Sequence, residues 1–158
     1  MEQIYRAQRY LDRLREVYGG VVTQCQDNQR HEDDLRSFFM HCYHIRDWIL
    51  HLNRVGVTQP QLDAFINGHE ALRVCADLCN GSKHCRLTRR ARSGLEPHVA
   101  RRTYRSSVWL TGTGGSAVVK GEYLVKTALG FVDALELAEE CMRLWRGFVD
   151  DMEHFIVP

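Results

Sequence analysis

The side chains best suited to chemistry crowd into FFMHCYHIRDWILH, residues 38–51. His41, His44, Trp48 and His51 follow at steps of 3, 4 and 3, so a helix lines them along one stripe. Asp47 is three residues from His44 and four from His51, within reach of either across a helical turn. A carboxylate that holds a histidine tautomer is a common arrangement for general acid–base work. A half-buried helix flank, with Trp48 in the core and hydrogen-bonded histidines, accounts for the same pattern.

A second group, Asn80, Lys83 and His84, falls at the expected end of the next helical stretch. If that helix runs antiparallel to the one carrying His41 and His44, a binding pocket of His44, Asp47, Trp48, Asn80, Lys83 and His84 is expected. A helix stop at Asn80-Gly81, with Lys83 and His84 complementing the negative end of the dipole, explains these residues equally well. Six cysteines lie at 25, 42, 75, 79, 85 and 141. Cys75 and Cys79, with His84, Cys85, His41 and Cys42 nearby, are soft donors that would suit zinc. No CxxC pair is present, and Cys79 falls on an apolar stripe where a reduced thiol is a small hydrophobe. No metal and no cofactor is therefore assigned, and reduced thiols are expected.

Residues 83–105 carry eight Lys/Arg against the single acid Glu96, with Arg89 and Arg90 at the centre. Such a run can neutralise phosphates. It can also be a solvated loop balanced by Glu139, Glu140, Asp150 and Asp151, or meet an acidic protein partner. The loop has little aromatic interleaving, so base stacking is not expected there.

These groups need elements to position them. Ile4, Ala7, Leu11, Leu14 and Tyr18 form a helical stripe that Gly19-Gly20 weakens or ends, with Val21 to Cys25 a candidate continuation. Leu35, Phe38, Cys42, Ile45, Ile49 and Leu52 predict a second helix from near His31, with acids in its first turn. A third starts near Pro60 on Leu62, Phe65, His69, Leu72, Ala76 and Cys79 and stops at Asn80-Gly81. His69 reads as a hydrogen-bonded core or boundary histidine. A fourth runs from about 134 to 153, with Asp133 as N-cap and Glu136 three residues on. Between the last two, 104–111 reads as a strand and, after a glycine-rich turn, 117–119 and 122–128 as a returning strand broken by Gly121. The expected fold is mainly α: a four-helix up-down bundle with a small antiparallel β-ribbon inserted between helices three and four. It is one domain over 1–158, with a basic loop at 83–103 and a ribbon at about 104–128.

The totals agree with a single soluble domain. The chain has 158 residues, 44% hydrophobic and 26% charged, with a net charge of +1. No global field draws it to nucleic acid, and no apolar stretch approaches the ~20 residues of a membrane span. The charged N-terminus has no apolar signal core, so a cytoplasmic location is expected and no membrane partner.

Arg46-Asp47-Trp48-Ile49-Leu50-His51 resembles the Arg-(four to six residues)-His motif of the HEPN superfamily of small helical bundles, many of them metal-independent endoribonucleases of toxin–antitoxin and antiphage systems. The resemblance implies His51 as general acid/base, Arg46 as stabiliser of the scissile phosphate and Asp47 as the orienting group. It also implies a homodimer that brings two motifs together. A broader resemblance, to a family of small uncharacterised bacterial helical proteins, runs through residues 44–48, 75–84 and 133–139; it implies an architecture and no reaction. Within one helix Arg46 stands ~140° from His51, at 100° per residue, so one chain does not join them automatically. The leading expectation is an RNA-binding, HEPN-like protein, an endoribonuclease of a toxin or defence system, that holds RNA on the basic loop. The competing one is a non-enzymatic helical module that binds a protein partner or small ligand.

Overall fold

A computed structural model describes residues 2–23, 28–52, 56–83, 90–111 and 114–154. The chain is mainly helical with a small antiparallel sheet. Its elements run α1 (Glu2–Gly19), β1 (Val21–Thr23), α2 (Asn28–Tyr43), α3 (Ile45–Leu52), α4 (Gln59–Gly68), α5 (Glu70–Lys83), β2 (His98–Thr111), β3 (Gly114–Thr127), β4 (Gly130–Asp133) and α6 (Ala134–His154).

The four predicted helical stretches are present, but two are divided at a histidine. At His44 the main chain bends while keeping its ladder: the His44 N–H reaches Met40 O at 3.1 Å, and both Asp47 and Trp48 donate to His44 O. At His69 the break is complete, because that residue is extended at φ −122° and ψ 120°. Its ring Nδ1–H donates to Phe65 O at 2.8 Å, capping the helix it ends. Thr58 starts α4 with its N–H and hydroxyl both on Gln61 Oε1, and Pro60 sits in the first turn as expected. The predicted stop at Asn80-Gly81 does not occur: α5 continues through both to Lys83. Glycine weakens a helix by only ~1 kcal/mol, and the buried run Leu72–Cys79 outweighs that.

The sheet also differs from expectation. Val21–Thr23 do not extend α1; they pair antiparallel with Val119–Ala117. Gly20 makes the reversal possible: its N–H closes α1 on Glu16 O at 2.8 Å, and its φ of +112° suits glycine alone. The ribbon begins earlier than predicted, because His98 to Thr103, read as basic loop, are already strand β2. A bulge between Val99 and Arg101 resets the register. With β4 also on β3, the result is a four-stranded sheet rather than a simple insertion, with β2 along one edge.

Asp133 caps α6 as predicted, its Oδ1 accepting the N–H groups of Leu135 and Glu136. The core lies between the six helices and the inner face of the sheet. Phe38, Leu11, Leu35, Ile45, Leu62, Ile66, Tyr123 and Trp145 are among its large fully buried side chains. Where the sheet meets α1, β3 approaches so closely that a Cβ at Gly121 would lie 2.8 Å from Val17 Cγ1 and 3.0 Å from the Tyr104 ring. Gly121→Ala should therefore lower stability by about 1–3 kcal/mol, read from the denaturant midpoint, with the helical signal before unfolding unchanged.

Candidate functional site

The predicted catalytic residues lie on α3 but do not share one environment. Arg46 is largely covered, with 14% of its side chain exposed. Its Nη1 donates to Asp47 Oδ1 at 2.9 Å, and its Nε lies 3.4 Å from Asp63 Oδ1 on α4. That Nε contact lacks hydrogen-bond geometry, so the atom is buried with charge attraction alone. Asp63 also faces Arg92 Nη2 at 3.4 Å, so two guanidiniums share one carboxylate. His51 is exposed on the last turn of α3 and bonds to no other described residue.

The polar stripe next to them is mostly helix packing. Gln3, 2% exposed, donates its Nε2–H groups to His41 Nδ1 at 3.1 Å and His41 O at 2.9 Å. His41 thus carries its proton on Nε2, and Tyr10 stacks on its ring at 5.1 Å. Burial, then the charges of Arg6, His44 and Arg9, lower its pKa and keep it neutral. Trp48 is half-buried beneath the Arg6 guanidinium, 5.5 Å from its ring centre. His44 sits at the α2–α3 bend, half-buried beside Tyr43.

Among the described residues of the expected pocket, Asn80 is not brought to His44, Asp47 and Trp48. Cys42 meets Cys75, while Leu35 and Phe39 share a cavity wall with Leu78, Gly81 and Ser82. The helices are antiparallel, as expected, but this pairing carries Asn80 toward the Leu35 end of α2 and away from α3. Lys83 is the last residue of α5, and His84 and Arg89 lie outside the described residues.

The described part of the basic segment is docked rather than loose. Asp77, 2% exposed on α5, accepts the N–H of Arg92 at 2.9 Å, the N–H of Ser93 at 2.8 Å and the Ser93 hydroxyl at 2.7 Å. Arg92 also reaches Asn67, and Arg102 bonds Glu32 at 2.8 Å. Arg90, Arg101 and Arg105 remain exposed.

Strand register separates the sheet into two faces. Arg102, Tyr104 and Ser106 pair with Tyr123, Gly121 and Val119; on this inner face Tyr123, Gly121 and Val119 are buried, while Arg102 and Ser106 stay exposed. The outer set is Arg101, Thr103, Arg105, Ser107 and Trp109 against Leu124, Glu122, Lys120, Val118 and Ser116. Val22 joins it from β1, and Lys126 with Phe131 from the β3–β4 end. Trp109 is 57% exposed and Phe131 62%, with Lys126 Nζ 4.5 Å from the Phe131 ring centre. Glu122 is the lone acid of the strip between them, 3.8 Å from Arg105. From Ser106 to Trp109 every residue of β2 is exposed, while Val119, opposite Ser106 on β3, is buried. The sequence reading places Arg101 in the basic loop and Arg105 at the start of the ribbon, and does not distinguish this face. The alternation Arg101-x-Thr103-x-Arg105-x-Ser107-x-Trp109 is its signal, a polar face at period two.

Three thiols form a separate cluster. Cys42, Cys75 and Cys141, from α2, α5 and α6, have sulfurs all within 4.8 Å of one another. Burial raises the Cys42 thiol, but the Cys141 and Cys75 thiols and the Trp145 indole facing its sulfur outweigh burial and lower it. Cys75 and Cys141 are pushed well up, by burial first and then by their neighbours.

No protein-family model matches the chain, and no curated protein or solved structure shows significant similarity to it. Among the described residues no helix is long and apolar enough to cross a membrane.

Asp77→Ala removes one acceptor from three donors at once. It should lower stability by about 2–3 kcal/mol and make residues 90–97 the first site cut in limited proteolysis. Unchanged stability and an unchanged cleavage pattern would show that the segment holds without it.

Proposed function

We propose that this chain binds single-stranded RNA across the outer face of its sheet. One observation carries the reading. Arg101, Arg105, Lys120 and Lys126 stand against Glu122 alone, on a strip with exposed Trp109 toward one end and Phe131 toward the other. From Ser116 to Lys126 the strip runs about 33 Å, at ~3.3 Å per residue. The cations neutralise successive phosphates, and the two rings offer stacking surfaces to bases at the ends. Thr103, Ser107 and Ser116 place hydroxyls on the same face, suited to the ribose 2′-OH. The face contributes little to the core, so these side chains are free for a ligand.

Binding, rather than cleavage, is the activity this geometry supports best. In a HEPN-like ribonuclease Arg46 must stabilise a scissile phosphate, and here it is committed to Asp47 and Asp63. Cleavage would need that pair opened and His51 supplied beside it, from a second copy in a homodimer. A protein partner is the other occupant the strip could take, with acidic groups in place of phosphates.

Fluorescence anisotropy with a labelled single-stranded RNA tests the proposal. Log affinity should fall against log salt with a slope of roughly −3, at −0.7 per neutralised phosphate. Arg105→Ala/Lys120→Ala should halve that slope, and Trp109→Ala should weaken binding by about 1–3 kcal/mol. No binding, or binding indifferent to all three substitutions, rejects the strip as an RNA surface. The same RNA incubated with EDTA and the native chain should stay intact. Cleavage that disappears in Arg46→Ala/His51→Ala would establish the ribonuclease instead.

A further inference from the structure

We propose that Cys42, Cys75 and Cys141 form a binding site for one soft, thiophilic metal ion of low coordination number, for which Cu(I) is the best fit. The three sulfurs converge from three different helices, α2, α5 and α6, within 4.8 Å of one another. All three residues are free cysteines, at most 1% exposed. A single cysteine in a core acts as a small hydrophobe, but three sulfurs meeting at one point are a donor set.

Trp145 supplies a second, independent sign. It is 1% exposed, and its indole Nε1–H is a buried donor with no hydrogen-bond partner. The indole faces the Cys42 sulfur, too loosely for a full hydrogen bond. A buried N–H left without an acceptor costs about 1–3 kcal/mol, and a negatively charged metal–thiolate group is the acceptor that would satisfy it.

Geometry and ligand count select the ion. Three sulfurs around a trigonal ion with bonds of ~2.3 Å lie about 4 Å apart, so the observed cluster needs only a small contraction. Structural zinc sites are almost always four-coordinate, and the described residues place no fourth His, Cys, Asp or Glu ligand atom in the cluster; Cys79, one turn along α5, is not part of it. Sealed from water, the site favours an ion satisfied by three soft donors, which is the preference of Cu(I) among first-row metals.

The thiols give way at little cost. Cys75 donates to Phe39 O at 3.6 Å and Cys141 to Ala71 O at 3.3 Å. Both carbonyls lie inside helices and keep their main-chain partners when a thiol proton leaves. On binding Cu(I), two of the three thiols release their protons to solvent and the third keeps its own. The group then carries one net negative charge, which the Trp145 N–H faces. Because the site joins three helices and is closed, loading should occur during folding or through local opening, and it should stabilise the fold.

The test uses the reduced full chain under anaerobic conditions, with Cu(I) supplied as its coloured bicinchoninate complex. The chain should withdraw one ion, gain ultraviolet sulfur-to-copper absorbance and unfold at a higher temperature. Alkylation in mild denaturant, mapped by mass spectrometry, should show Cys42, Cys75 and Cys141 protected by the ion, and Cys25 and Cys85 not. Cys42→Ser should abolish uptake while Cys79→Ser leaves it intact, and Trp145→Phe should weaken affinity by about tenfold. The mapping is made on the native chain, so it decides even where a serine variant misfolds. No withdrawal of copper, protection at Cys25 and Cys85 instead of the three, or tight uptake of zinc in preference to Cu(I) overturns the proposal.

Discussion

The seating of β3 on α1 is the contact on which the rest of the structure depends. The Tyr18 hydroxyl, at the end of α1, accepts the Tyr123 N–H at 3.0 Å and lies 3.1 Å from Asp133 Oδ2, which accepts its proton. Asp133 in turn caps α6, so one hydroxyl ties the first helix, the sheet and the last helix together. Burial, with the Asp133 carboxylate beside it, pushes the Tyr18 pKa far above its usual value and keeps the phenol protonated as a donor. Gly121 makes the approach sterically possible by offering no side chain at the point of contact.

That contact decides which face of the sheet is free. A strand alternates its side chains, so once Tyr123, Gly121 and Val119 face the helices, Lys120 and Glu122 must face outward, and with them Arg101, Arg105 and Trp109. Tyr104 reinforces the choice through its hydroxyl contacts with Tyr123 and Asn28 O. The charges of the basic stretch are sorted in the same way. Asp63 engages Arg92 and Glu32 engages Arg102, while Asp77 binds the main chain at Arg92 and Ser93. On the outer face stand Arg101, Arg105, Lys120 and Lys126, where the neighbouring acid is Glu122 of the sheet itself.

The interior follows a different rule. Trp145, Phe65 and Phe148 form an aromatic group in which Phe65 lies 5.5 Å from Trp145 and 4.4 Å from Phe148. Beside Trp145 the three thiols occupy the junction of α2, α5 and α6. Small side chains at such a junction let three helices approach closely. The sulfurs are therefore brought together by packing, far from any spacing that sequence alone would flag as a metal motif.

Helix periodicity was legible where burial is one-sided. Leu35, Phe38, Cys42, Ile45 and Ile49 are all buried as their spacing predicts, and Asp133 caps α6 as its position implies. The bends at His44 and His69 were not legible, because a stripe of period 3.6 continues across a bend when both halves pack on the same core. The strand at Val21–Thr23 was hidden because three residues carry no period; only its partner at Val119–Ala117 makes it a strand. By itself the sequence determined the helical character, the core stripes and the presence of a basic stretch followed by a β-ribbon, since these are local properties of residue type and spacing. Tertiary structure alone decided that Arg46 is bound to Asp63, that three distant cysteines converge, and which alternate residues of β2 and β3 meet water. Each depends on which elements pack against one another, and the chain settles that only through long-range contacts such as Tyr18 with Tyr123.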